Sequence, residues 1–522
     1  MHHFSDMKRP FLLAAAVLAA AALAARVIAQ APPPANAVLE AIRREGTEDS
    51  QLEPLAQALL DSIGPRLTGS PGAAAAHVWA VAQYRAWGIE ARSEKYGTWT
   101  GWRRGITHVD LREPRVRSLE GTLLAWSPGT GGPLEGEAVV LPAAASRAEF
   151  EAWLATAKGK WVLVSAPQRT CRPPETWERW ATPEGLERMR RERADIDAAW
   201  ARRVAMSGAD ARWLPVRLEE AGVLGVLSAP RSGGWGAHPV LNAWTLRAPM
   251  LGLGCEDYGL VFRLAENRQG PVLRIDAEGK FDGDVDVFNT LAVIPGSEEP
   301  EEYVVLSAHL DSWDAASGAT DNGAGTVAVM EAMRILKELV PRPKRTIMAG
   351  HWSGEEQGLN GSLAFADDHP EVVRGLHALF NLDQGTGRVT RVSMQGLPGA
   401  GARFASWFSR VPTDLGGGVE VSAPGVRENG GSDHAAFVCR GAPAFNLESL
   451  EWDYRGYTWH TDRDTYDKLV FDDLRANAVL LAMLAYLASE DPEPLPQASE
   501  PGPGACRQPA RSMVEFLENL LH

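Results

Sequence analysis

The chain has 522 residues, 45% hydrophobic and 23% charged, a globular composition with material for more than one ordinary domain, which excludes wholesale disorder. Lys and Arg number 52 against 67 Asp and Glu, a formal charge of −15; that sign opposes binding to a phosphate backbone, and no nucleic-acid partner is expected. Four cysteines, Cys171, Cys255, Cys439 and Cys506, stand far apart with no C-x-x-C pair, so neither a disulfide-stapled mini-fold nor a cysteine zinc finger fits.

Lys8 and Arg9 precede an apolar run from Phe11 to Ala25, and Val27-Ile28-Ala29 offers small or tolerated residues for cleavage. Residues 1–29 therefore read as a secretory signal peptide. A membrane anchor is the competing reading, because the run approaches the roughly 20 residues a span needs, but Pro32-Pro33-Pro34 directly after it favours cleavage. No later segment is apolar for long enough to span a bilayer. The mature form is expected to be secreted or periplasmic, without a stable membrane span. In an oxidising compartment the thiols can pair, Cys171 with Cys255 for example, although four cysteines allow 3 full connectivities.

From Asn36 to Gly88 apolar residues recur at helical spacing (Val38, Ile42; Leu55, Leu59, Ile63; Val78, Val81), broken at Gly64-Pro65 and Gly69-Ser70-Pro71-Gly72, which predicts two or three helices over the first part of the 36–114 region. Residues 115–283 change texture: short apolar runs such as 137–142, 160–165, 222–228 and 272–275 alternate with Gly- and Pro-containing turns, as in an inserted strand-rich domain. Within it Trp177 to Trp213 reads as a helical excursion with a charged face. Residues 284–490 alternate strand and helix: Tyr303 to Ala308, Gly323 to Leu339, Thr346 to His351, Ser362 to Asp368, Leu376 to Leu382, Ala402 to Phe408 and Asp472 to Leu487. This pattern predicts a three-layer α/β/α sandwich on a mostly parallel, mixed sheet. The Pro-, Glu-, Gly- and Ser-rich segment that opens 491–522 marks a flexible C-terminal tail.

Several strand ends carry chemistry. Val304 to Ala308 runs directly into His309-Leu310-Asp311, and residues two apart on an extended segment share a side, so Asp311 can take one ring proton and leave the other nitrogen of His309 for a metal. Alone, H-x-D is more often a surface turn. Asp321, ten residues after Asp311, lies in Gly318-Ala319-Thr320-Asp321-Asn322-Gly323, which opens a helix. An N-cap explains Asp321 locally, yet a carboxylate also has two oxygens with which to bridge two cations. Thr346 to His351 leads to Glu355-Glu356, adjacent carboxylates that repel unless a cation divides them into a ligand and a base beside water. Leu376 to Leu382 ends in Asp383, and His460 follows in a later loop. Open α/β sheets build their sites at such strand ends. Two His with three carboxylates and no thiolate suit zinc, and less exclusively cobalt or manganese.

The series His309-x-Asp311, Asp321-Asn322, Glu355-Glu356, Asp383 and His460 resembles peptidase family M28, the zinc aminopeptidases and carboxypeptidases, in the branch that carries an inserted protease-associated (PA) domain and includes carboxypeptidase Q-like dipeptidases. Gly64-Pro65-Arg66-Leu67-Thr68-Gly69-Ser70 resembles that family's N-terminal turn, residues 159–164 and 221–226 its insert, and Gly431-Ser432-Asp433-His434 its S-D-H segment. The resemblance implies a peptidase domain made of 36–114 and 284–490, interrupted by a β-rich PA-like domain at 115–283. It implies two zinc ions per chain: His309, Asp321 and Asp383 would hold one, and Asp321, Glu356 and His460 the other. Glu355 would be the general base and Asp311 the partner of His309. His434, Tyr454 and Tyr457 are weaker candidates for substrate or oxyanion contact, and Asp433 and Asp464 for supporting carboxylates. The implied activity is exopeptidase hydrolysis of a peptide substrate, by an enzyme often found as a homodimer. Two rival readings are a peptidase-fold binding protein and a single-zinc glutaminyl cyclase-type acyltransferase; relatives of both kinds depart from the full ligand set, and no ligand is missing here. A serine hydrolase lacks its G-x-S-x-G elbow, and Cys439 reads as a buried small hydrophobe.

Overall fold

A computed structural model of the chain describes residues 35–231, 233–495, 497 and 506–519; the expected signal peptide, 1–29, lies outside them. Strands β1 (Glu90–Glu113), β2 (Arg117–Leu119), β3 (Gly121–Leu123), β4 (Leu134–Val140), β5 (Trp161–Leu163), β6 (Gly225–Ser228) and β7 (Met250–Leu253) precede β8 (Val272–Ile294), β9 (Glu299–His309), β10 (Arg345–Trp352), β11 (Leu376–Asn381), β12 (Val389–Ser393), β13 (Glu420–Ser422) and β14 (Ala444–Ser449). Every residue of β10 and β11, and Val304 to His309 of β9, is buried, as expected of parallel strands covered on both faces. These three pair in parallel with β9 in the middle. The chain leaves β9 through the helix Ala324–Leu339 to reach β10 on one side, then passes through Asn360–Asp368 to β11 on the other. The carboxyl end of β9 is therefore a topological switch point, where open α/β sheets leave a crevice.

The period-two alternation of the strands divides the core. Val305, Met348 and Leu379 pack with Leu363, Phe365 and Phe437 of the helices Asn360–Asp368 and His434–Val438. Residues of opposite parity face the other way, where Phe380 meets Phe404 and Trp407 at ring separations of 6.0 and 6.2 Å. The predicted α/β/α sandwich is the observed one. Of Met1–Ala41 the structure describes only the start of the helix Ala35–Glu48; the described residues from Ile42 onward form one unit. Among the described residues no helix is long and apolar enough to cross a membrane.

Two features of the 115–283 region stand out. First, it is joined to the sandwich by paired strands: β1 and β8 pair antiparallel along almost their whole length. The far end of β8 pairs with β10 through Thr290 to Ile294, while Val272 to Ile275 pair with β4. A single twisted ribbon thus continues the sandwich sheet into the insert. Second, the insert is not simply β-rich. Its strands β4, β5, β6 and β7 are parallel neighbours, and parallel pairing requires crossovers. The helices Arg147–Leu154, Pro183–Met206, Leu214–Glu220 and Cys255–Glu266 lie in the connections before β5, β6 and β8. The short apolar runs were legible as strands, and the longest helix, Pro183–Met206, falls within the charged helical excursion expected from Trp177 to Trp213, with few buried positions, Gly185, Met189 and Trp200; the other helices of the insert were not foreseen. A disulfide joins Cys171 to Cys255.

The expected flexible tail is tied down in part. Cys506 is disulfide-bonded to Cys439, so Cys439 is a buried half-cystine. The backbone N–H of Ala510 donates to Asn360 Oδ1 at 2.8 Å, and Arg511 is held by Asp368 through two bonds of 2.8 and 2.9 Å. Met513 and Phe516, on the helix Met513–Asn519, pack on the apolar cluster around Trp99. Composition could not show this, because a disulfide and a few long-range contacts do the anchoring.

The Gly64-Pro65-Arg66 turn is fastened to the loop after β9 by a fully buried guanidinium. Arg66 donates to the carbonyls of Leu310 (2.6 Å), Gly64 (3.0 Å), Ser317 (2.6 Å) and Gly318 (2.9 Å). Burial lowers its pKa to about 10, still well above neutrality. Gly318 has φ 59°, the left-handed backbone that glycine adopts without cost. Arg66→Ala would strand four carbonyls and is expected to cost about 3 kcal/mol or more in urea denaturation. Arg66→Lys should recover only part of this, since an ammonium has three donors and no planar fork.

Candidate metal centre

His309 ends β9, and its ring is fully buried. Its Nδ1 lies 3.0 Å from the carbonyl oxygen of Asp311. A carbonyl only accepts, so Nδ1 carries a hydrogen and Nε2 is the nitrogen left to take either a second proton or a metal. That Nε2 faces Asp321 Oδ1 at 3.3 Å and Asp383 Oδ1 at 3.2 Å. His460 repeats the arrangement: its Nε2 is 3.2 Å from Asp321 Oδ2 and 2.8 Å from Glu356 Oε2. The fold therefore assembles two triads, His309–Asp321–Asp383 and Asp321–Glu356–His460, which share Asp321 and in each of which the ligand atoms lie within 4.8 Å of one another.

Each group is held in place by its neighbours. The Asp311 carboxylate is 3.5 Å from His309 Nδ1 and accepts from the backbone N–H groups of Glu355 and Glu356, both at 3.4 Å, and from Thr68 Oγ1 at 3.3 Å. Asp464 accepts from the N–H groups of Thr320 and Asp321 at 2.7 and 3.0 Å. Asn322 donates to the Leu382 carbonyl at 2.9 Å and accepts from the Gly325 N–H at 3.0 Å, which ties the Asp321 turn to the residue before Asp383. Gly325 has no room for a side chain here, since a Cβ would sit 2.2 Å from that same Leu382 oxygen. His460, at φ 56°, is stacked on Trp459 with ring centroids 4.0 Å apart and meets Trp313 edge-on. Its carbonyl accepts from the Val240 N–H at 2.8 Å, and the Asp462 carboxylate accepts from the His238 N–H at 2.9 Å. The insert thus supports the loop that carries one of the two histidines.

The electrostatics are those of a cation site. Burial, then the charge of Asp321, raises Glu356 to about 7, and burial raises Asp433 to about 8 and Asp464 to about 7. Glu355 is pushed well above the carboxylate range by burial and by the charges of Asp383, Asp433 and Glu356, against the opposing pull of His309. Burial depresses His460, but Glu356 and Asp321 outweigh it and raise the imidazole to about 11. Lone pairs on Nε2 facing carboxylate oxygens need a proton or a metal between them. Asp321 Oδ2 and Glu356 Oε1 are buried without a hydrogen-bond partner. These residues fit zinc: two imidazoles and three carboxylates, oriented by hydrogen bonds behind them.

The triads open into a cavity of about 740 Å³ lined by Asp321, Glu355, Glu356, Asp383, Tyr454 and His460, with His434, Glu428, Arg391, Glu448, Arg455 and Arg507 among its further walls. Of the three weaker candidates, His434 and Tyr454 line this cavity. Tyr457 does not: it lines a separate one with Trp235 and Trp452, because the turn Tyr454–Thr458 sends the two tyrosines apart. Asp433 and Asp464 stand outside both triads. His351, at the end of β10, is bound to the Tyr84 hydroxyl at 2.7 Å and takes no part. Sequence reasoning missed Asn322 as a tie, Thr68, Glu428 and Arg507. Thr68, inside the Gly64–Ser70 turn, and Asn322, beside Asp321, lay in segments already singled out for the site; Glu428 and Arg507 did not. Zinc binding must displace the ring protons, so affinity should fall on acidification from pH 7 to pH 5. Calorimetric titration in buffers of different ionisation enthalpy should register proton release on binding; a pH-independent affinity would contradict this arrangement.

Residues 289–485 match the model of peptidase family M28. The chain is 26% identical over 441 residues to carboxypeptidase Q of Rattus norvegicus, covering 84% of this chain and 85% of the relative, and 25% identical over 446 residues to the Homo sapiens protein of the same name, with the same coverage. Among solved structures, a peptidase M28 precursor from Shewanella amazonensis superposes with a TM-score of 0.66 at 22% identity, over 89% of this chain and 99% of that one. A zinc aminopeptidase from Bacillus subtilis does so with a TM-score of 0.53 at 17% identity, over 83% and 93%. The M28 match lies on the segment that carries every residue of the two triads, and the curated relatives extend over the insert as well: residues 289–485 form a peptidase family M28 domain, and the chain is a zinc metallopeptidase.

Proposed function

We propose that this metallo-exopeptidase is a secreted enzyme that holds two zinc ions, one by His309, Asp321 and Asp383 and one by Asp321, Glu356 and His460, with Glu355 as general base. The observation that carries the reading is the division of one carboxylate: Asp321 offers Oδ1 to the His309 side and Oδ2 to the His460 side. When bound, a zinc pair supplies charge that acidifies water towards a pKa of about 7 and polarises the scissile carbonyl. Glu355 lines the cavity beside the ligands, and its backbone is held through the N–H that Asp311 accepts. Its carboxylate, made more basic by burial and by its acidic neighbours, takes the proton of the attacking water and returns it to the leaving amine. Tyr454, buried on the same cavity wall, would donate to the carbonyl oxygen as charge develops on it. Asp311 serves as the partner that fixes the His309 tautomer. Secretion is supported by the basic and apolar N-terminus and by two disulfides, which persist in oxidising compartments.

Glu355→Gln should retain about two zinc ions per chain by elemental analysis while turnover of peptide substrates falls by about a thousandfold; turnover near wild type would remove Glu355 from its role. His309→Ala should lose zinc and, with it, thermal stability. One zinc per fully active chain would overturn the dinuclear reading.

A further inference from the structure

Resting on the peptidase reading, we infer that Arg507 is a specificity-determining residue: it receives a carboxylate of the peptide substrate at the wall of the catalytic cavity, from a segment held there by the Cys439–Cys506 disulfide. Three observations carry this. Arg507 lines the cavity that also holds Glu355 and the zinc-ligand candidates. The other basic side chains of that wall outside the triads are engaged: Arg391 pairs with Glu448, His434 with Glu428 at 2.6 Å, and Arg455 with Glu451 at 3.6 Å. Among the described residues no acidic side chain pairs with Arg507, which is exposed.

The segment is also anchored on both sides of this residue. Cys506 is bonded to Cys439, which follows the helix His434–Val438. Three residues after Arg507, the Ala510 N–H is held by Asn360 at 2.8 Å, and the Arg511 carbonyl accepts from the Thr98 N–H at 2.8 Å. Gly97 lets that carbonyl approach, since a Cβ there would lie 2.3 Å from it. A guanidinium on an anchored backbone loses little further freedom on binding, and its planar fork matches a carboxylate through two parallel N–H···O bonds. A carboxylate entering the cavity also meets the acidic ligand set, so a cation on the wall with no acidic partner among the described residues decides whether an anionic terminus is tolerated.

Two substrate carboxylates could supply this chemistry, the free C-terminus or an acidic side chain. The test uses zinc-loaded, full-length enzyme with two matched pairs: alanyl-alanine against alanyl-alanine amide, and alanyl-aspartic acid α-amide against alanyl-asparagine amide. In Arg507→Gln the acid-to-amide ratio of kcat/KM should fall about tenfold in one pair, through KM, with kcat within about twofold and zinc content unchanged. A fall in the first pair assigns the terminal carboxylate, and a fall in the second the side chain. Arg507→Lys should recover part of the ratio, and Arg455→Gln should leave it near wild type. Ratios in Arg507→Gln equal to wild type in both pairs, with peptide hydrolysis intact, would overturn the inference and leave the peptidase reading standing. If zinc-loaded wild-type enzyme cleaves none of these or longer peptides, the peptidase reading fails and this inference with it.

Discussion

Carboxylates gathered at the carboxyl edge of β9, β10 and β11 repel one another in a place largely shielded from water, and much of the surrounding structure is arranged around that repulsion. Asp321, Glu355, Glu356 and Asp383 reach one cavity, with Asp311, Asp433 and Asp464 buried close behind. Several of these groups are driven upward in pKa chiefly by burial and mutual charge. Without opposite charge such a cluster would destabilise the fold, because desolvation of an ionised group costs several kcal/mol even after relaxation. Imidazoles with raised proton affinity and divalent cations are two ways to meet the same demand, so a site that binds metal well is also a site that binds protons well.

Holding ligands against their own repulsion requires support from several directions, and the structure supplies it from distant parts of the chain. Asp311 collects the backbone of the Glu355-Glu356 pair, Asp464 collects the backbone of Asp321, and Asn322 links that turn to Leu382. Arg66 fastens the loop after β9 to the N-terminal region. The insert contributes as well: the segment 236–240 supports the His460 loop through Val240, His238 and the carbonyl of Gly236, to which Arg463 donates. The long ribbon of β1 and β8 makes this support stiff, since the sheet of the insert is continuous with the sheet that bears the site. The insert thus belongs to the construction of the centre, whatever else its outer surface does.

Much of this was legible beforehand, for a definite reason. Strands buried on both faces appear in the sequence as unbroken apolar runs, and a charged residue at the end of such a run marks a strand tip. His309, Glu355-Glu356 and Asp383 were visible by that contrast alone. His460 was not on a strand, and only its place in a motif series drew attention to it; what holds its ring, the stack on Trp459 and the tie to Val240, joins residues with no common pattern. Tyr454 and Tyr457 are three residues apart, and their divergence into separate cavities depends on the turn Tyr454–Thr458, which has no compositional signature.

The sequence by itself determined the α/β class, the strand tips and the chemical types of the ligands, because burial and hydrogen-bonding demand act locally along each strand. Only the tertiary structure decided that one carboxylate divides its two oxygens between two histidines, that the insert is a parallel α/β unit reached by a continuous ribbon, and that a Pro-rich tail returns Arg507 to the cavity. Those features depend on distances between residues far apart in the chain, 150 positions for the bond from Ala510 to Asn360 and more than 400 for that from Thr98 to Arg511. Such distances are set when the whole core packs, and no local pattern records them.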